Sequence, residues 1–127
     1  DENLDVNRKL RMMEMEGVER NLEKKKIMKE HYSKGLNYYK NGNYKKAILE
    51  FEKILKYDPE HSQSKNLIER CKVKIEEMAA ELYYSGFKEY TSGNVKGAVS
   101  FWKSAHDLVP GDEKIKNALE KAMAELK

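Results

Sequence analysis

Apolar side chains return along this chain at steps of three and four almost from end to end, the spacing that gathers them on one face of an α-helix. Residues 4–30 carry Leu4, Leu10, Met13, Met15, Val18, Leu22, Ile27 and Met28 in a loose version of that pattern. It predicts one helix or two, with Gly17 as the weak point and the second continuing past residue 30. From His31 the pattern sharpens, with Tyr32, Leu36 and Tyr39 at i, i+4 and i+7, until Asn41, Gly42 and Asn43 supply a stop signal. A second helix then carries Ala47, Ile48, Phe51, Ile54 and Leu55 as far as Asp58 and Pro59. Two amphipathic helices joined by a three-residue turn make an antiparallel helical hairpin.

Residues 62–91 hold no proline and no glycine before Gly86, and their apolar positions are Ile68, Cys71, Ile75, Met78 and Leu82. Steps of three and four in strict alternation form a seam of coiled-coil type, so this stretch reads as one helix about 45 Å long at ~1.5 Å per residue. Ser92, Gly93 and Asn94 turn the chain into a partner helix carrying Ala98, Val99, Trp102, Ala105 and Leu108 up to Pro110. Asp112 then starts a last helix with Ile115, Leu119, Ala122 and Leu126 on one stripe and charge opposite, the profile of a terminal cap.

Composition narrows the class. At 127 residues the chain is one ordinary domain, and 39% hydrophobic with 37% charged residues fits a helical protein with charged outer faces rather than a disordered tail. Its net charge of +3 comes almost entirely from lysine, arginine standing only at Arg8, Arg11, Arg20 and Arg70. A lysine-dominated surface of mixed sign reads as a solvated exterior and argues against a nucleic-acid groove. Lys24, Lys25 and Lys26, the densest basic run, are flanked by Glu23 and Glu30 and read as a charged helix face. No run of eighteen apolar residues exists, so no membrane insertion is expected of this segment. The chain opens on Asp1 rather than methionine, which reads as a processed or cut protein, and a leader or anchor ahead of it would leave no trace.

Catalytic and metal chemistry find little support. His31, His61 and His106 are scattered, none at ligand spacing with another histidine or with Cys71. Cys71, the only cysteine, lies on the seam of the long helix and reads as a small core residue, and no intramolecular disulfide can form. Glu76 with Glu77, and Glu50 with Glu52, point in different directions on their helices, so neither makes a catalytic pair. No cofactor is expected, and Gly42 and Gly93 are turn residues rather than phosphate cradles.

The strongest signal is an echo. GNYKKAILEFEKILKYDPEH at residues 42–61 returns as GNVKGAVSFWKSAHDLVPGD at residues 93–112, 51 residues later. With the hairpins placed, residues 28–61 and 79–112 each resemble the tetratricopeptide repeat, a helix pair of about 34 residues. The matching positions are Gly35, Tyr38, Gly42, Tyr44, Ala47, Phe51 and Pro59 in the first copy, and Gly86, Gly93, Val95, Ala98, Trp102, Ala105 and Pro110 in the second. Gly35 and Gly86 sit inside helices, where glycine costs about 1 kcal/mol against alanine, so a close approach by the partner helix should offset that cost. The copies also depart from the family. Its first aromatic position falls on His31 and Leu82, its leucine on Lys34 and Ser85, and its later tyrosine on Glu89 in the second copy. The offset exceeds an uninterrupted array by 17 residues, nearly five helical turns, which turns the second copy by about a quarter turn relative to simple stacking.

The resemblance implies an all-α protein of αα-superhelix or solenoid type. It divides into an N-terminal helical extension (1–27), a first repeat (28–61), a helical connector (62–78), a second repeat (79–112) and a C-terminal capping helix (113–127). It further implies a non-catalytic module for a protein or peptide partner, gripped by the first helix of each pair. Carried over by position, that surface is Lys29, Tyr32, Leu36, Tyr39 and Lys40, then Ala80, Tyr83, Phe87, Tyr90 and Thr91. The same side chains have a second reading, as core covered by the N-terminal helix or by another copy in a homo-oligomer. Tyr32, Leu36, Tyr83 and Phe87 occupy several places that a carboxylate clamp needs, which argues against one. Repeats strung on long helices are also similar to envelope-associated bacterial members of the family.

Overall fold

The computed structural model describes residues 2–127. Five helices succeed one another, α1 (Glu2–Lys40), α2 (Tyr44–Tyr57), α3 (Ser62–Thr91), α4 (Val95–Leu108) and α5 (Glu113–Glu125), and no strand forms among the described residues. The N-terminal stretch is one helix rather than two. α1 passes through Gly17 unbroken, because a single glycine with open space around it costs only its propensity, about 1 kcal/mol, within a helix of 39 residues. The chain divides into two units, residues 2–68 and 69–127, with α3 running through the boundary.

In the first unit α1 ends in a Schellman motif. The Asn43 N–H donates to the Tyr38 carbonyl at 2.9 Å and the Gly42 N–H to the Tyr39 carbonyl at 3.1 Å, with Gly42 at φ 79°. That reversal lays α2 along α1, with Ala47, Phe51 and Ile54 fully buried between them. The mid-helix glycine is explained by contact: a Cβ on Gly35 would lie 2.6 Å from Cε1 of Phe51. The helices can approach this closely only over a missing side chain.

The second unit repeats the device. Gly93, at φ 91°, closes an identical Schellman turn on the carbonyls of Tyr90 and Glu89, and the indole edge of Trp102 lies where a Cβ on Gly86 would stand. Trp102 also donates from Nε1 to the Tyr83 carbonyl at 3.0 Å, satisfying the one polar atom of the ring. α5 then closes the unit. Leu119 and Ala122 pack with Ala98, Val99 and Trp102, while Ile115 packs with Ala79 and Ala105.

Three helices are capped by side chains from equivalent places. His61 Nδ1, Asn94 Oδ1 and Asp112 Oδ1 accept from the N–H groups of Ser64, Gly97 and Ile115, each three residues on. Two details of the expected stripes shift. On α3 the buried positions step by four, three, four and four, through Ser64, Ile68, Cys71, Ile75 and Ala79, leaving Met78 37% exposed. That is the drift of a straight 3.6-residue helix rather than a 3.5-residue seam. On α5 the stripe stops at Ala122, and Leu126, just past the last turn, is 45% exposed.

Candidate functional site

In the first unit the expected partner surface lies on one face of α1. Tyr32 is half-buried, its ring edge-on to Phe51 at 5.9 Å and to His61 at 6.2 Å, and Tyr39 stands edge-on to Tyr44 at 5.4 Å. Leu36 between them is also half-buried, and Lys40 is exposed on the last turn. Each ring is thus fixed from behind and open in front, so little rotamer freedom remains to be lost on contact. The face does not end at the repeat. Met15, Val18, Leu22, Lys25, Lys29, Tyr32, Leu36 and Tyr39 succeed one another at steps of three and four, and Met15, Val18 and Leu22 are each more than half exposed. Because α1 is continuous, its first turns do not fold back over this face.

In the second unit the equivalent side chains divide. Tyr83 and Tyr90 flank Trp102 with centroids at 6.0 and 5.7 Å, half-buried shoulders of the core. The Tyr90 hydroxyl donates to Glu125 at 2.6 Å, tying α3 to α5, and the carboxylate at its side, with some burial, raises the phenol above its ordinary range. Phe87, by contrast, is 51% exposed. Nearby Tyr84 is exposed with the Lys88 ammonium 4.9 Å from its ring centroid, an aromatic that position-by-position transfer from the family omits.

The structure also brings together a histidine and a carboxylate that sequence spacing does not reveal as a pair. His31 Nδ1 and Glu50 Oε2 lie 2.7 Å apart, 19 residues distant in the chain, and Lys53 donates to the other carboxylate oxygen at 3.3 Å. Burial pushes the Glu50 carboxyl up, but the bonds from His31 and Lys53 outweigh it and hold the group below its ordinary value. No hydroxyl or thiol nucleophile stands beside the pair among its hydrogen-bond partners, and its role is to satisfy a polar seam between α1 and α2. The equivalent positions in the second unit are Leu82 and Phe101. Replacing Glu50 alone by phenylalanine should therefore cost about 1–3 kcal/mol by orphaning His31. The double change His31→Leu with Glu50→Phe should return to within about 1 kcal/mol of the parent in urea melts. The depressed pKa fixes the sign with pH: stabilisation by ionised Glu50 is present at neutral pH and is lost as the pH falls through that pKa.

Cys71 is a free, buried thiol whose pKa burial pushes up, the state of a packed side chain rather than a nucleophile. No cluster of three metal-ligating side chains forms among the described residues, and no helix there is long and apolar enough to cross a membrane. Set beside known families, residues 28–61 match the family model of the tetratricopeptide repeat. A comparison with curated proteins gives no match.

Proposed function

We propose, from the premise that this is a protein of tetratricopeptide-repeat type with a repeat at residues 28–61, that the chain is a non-catalytic module presenting an aromatic helical surface to a protein partner. One observation carries the reading. The face bearing Tyr32, Leu36 and Tyr39 runs on along α1 as an apolar row whose members Met15, Val18 and Leu22 are each over half exposed. A row of this kind on a folded chain marks a surface that meets another macromolecule. Residues 79–112 are read as a second, diverged copy, supported by Gly86 under Trp102 and by the matching turn at Gly93. Its partner face is Phe87, with Tyr83 and Tyr90 one helical turn to either side on α3.

A second reading rests on the same exposed row: a structural subunit that covers Met15, Val18 and Leu22 with a second copy. Sedimentation equilibrium on the full chain separates the two. A single species at 14.9 kDa up to high concentration removes the assembly reading. A photo-cross-linker at Val18 should then trap a heterologous protein in native lysate, and Leu36→Asp should abolish the adduct while leaving the helical signal intact. An adduct that survives Leu36→Asp would show that the aromatic face is not the contact.

A further inference from the structure

The 51-residue echo extends to the surface. A cleft of about 260 Å³ in the first unit is lined by Lys25, Met28, Lys29, Tyr32, His61 and Gln63. A cleft of about 230 Å³ in the second is lined by Glu76, Ala79, Ala80, Tyr83, Asp112 and Lys114. These six residues of the first cleft each lie 51 positions before one of the second, while Ile54 lines the first alone and Val109 and Ile115 the second alone. The fold has built one concavity twice, within the first helix of a pair and beside the capping residue of the helix that comes after the pair. Tyrosine lines both, but the charge is reversed: two lysines and an imidazole in the first cleft, two carboxylates and one lysine in the second.

Three features of the first cleft fit an anionic side chain. Lys25 and Lys29 stand at i and i+4, a like-charge pair that weakens a helix, and among the described residues no carboxylate is in salt-bridge contact with either. His61 is held in one tautomer. Its Nδ1 accepts the Ser64 main-chain N–H at 3.2 Å, and a main-chain N–H only donates, so the neutral ring carries its proton on Nε2 as a donor. Beside these donors lie the apolar surfaces of Met28 and Tyr32, with Tyr32 braced by Phe51.

The geometry points to a binding site in the first unit for an acidic side chain, aspartate or glutamate, set beside an apolar residue in a partner's peptide segment. The charge-reversed cleft of the second unit rejects that segment. The inference rests on the interaction-module reading and names the partner's chemistry. Its cationic side chains, Lys25 and Lys29, stand outside the positions where Tyr32 and Leu36 replace the polar groups of a terminal-carboxylate clamp.

The test is a nuclear magnetic resonance titration of the ¹⁵N-labelled full chain with three probes: acetyl-Leu-Glu-Leu-Glu-amide, its glutamine counterpart, and inorganic phosphate. The acidic peptide should shift the amides of residues 25–32 and 61–64 and leave 76–83 and 112–115 in place. The glutamine peptide, and the double variant Lys25→Gln with Lys29→Gln, should each bind about tenfold more weakly, and raising salt from about 50 to about 500 mM should weaken the acidic peptide further. The inference is overturned if the glutamine peptide binds equally, if phosphate alone shifts the same amides as strongly, if the shifts fall on the second cleft, or if no probe shifts either. None of those results touches the interaction reading itself, which the Val18 cross-link decides.

Discussion

Replacing Trp102 by alanine is expected to cost about 3–5 kcal/mol, the range for deleting a large aromatic side chain from a packed core. Trp102 is 4% exposed and, from α4, meets side chains of both α3 and α5. It fills the space above Gly86 on α3, separates Tyr83 from Tyr90, and meets Leu119 and Ala122 on α5. The loss should appear in urea unfolding tracked by far-ultraviolet circular dichroism. Trp102→Phe, which keeps most of the volume and gives up the hydrogen bond to the Tyr83 carbonyl, should cost less than half as much. An alanine variant that loses under about 1 kcal/mol would mean that this residue does not organise the unit.

The second large effect changes sign with its background. Phe51→Ala should also cost about 3–5 kcal/mol, since the ring is fully buried against α1. Gly35→Ala in the parent should destabilise by about 1–3 kcal/mol, because the new methyl meets Phe51 at 2.6 Å and a fully buried ring has little room to retreat. In the Phe51→Ala background the obstruction is gone. Alanine there gains its helix propensity, about 1 kcal/mol over glycine, and fills part of the cavity, so the same substitution should now stabilise. A four-member mutant cycle measures the coupling directly. If Gly35→Ala moves stability in the same direction in both backgrounds, the glycine is not there to admit the ring.

That contact shows how far the sequence could be read. The helices were legible because apolar residues at steps of three and four, broken by Asn41-Gly42-Asn43 and Ser92-Gly93-Asn94, leave little freedom in placing them. Glycine and aromatic, 16 residues apart in each copy, already announce a close approach. What stayed hidden depends on which helix faces which. The His31 and Glu50 pair carries no local signature, and its counterparts Leu82 and Phe101 are apolar. Tyr83 and Tyr90 match Tyr32 and Tyr39 by position, yet both lean on Trp102, whereas in the first unit Tyr32 meets Phe51 and Tyr39 stands against Tyr44.

The spacing of the copies takes on a different meaning. The 17 residues beyond an uninterrupted array read in the sequence as a connector. In the structure the opening turns of α3 carry buried Ser64, Ile68 and Cys71, and α5 carries buried Ile115, Leu119 and Ala122, each 51 residues on. A third helix therefore belongs to the repeating pattern. A buried serine answering to an isoleucine concealed this, since Ser64 stays inside by bonding His61 rather than by being apolar.

The placement of the single tryptophan gives the molecule a built-in spectroscopic division of labour. Trp102 lies wholly within the second unit, pressed between two tyrosines, while the first unit uses phenylalanine at the same place. Indole emission thus reports on residues 69–127 alone, and the far-ultraviolet signal sums over both. Recording the two together in one cuvette shows whether the halves of this chain melt as one body or in turn, with no label and no mutation.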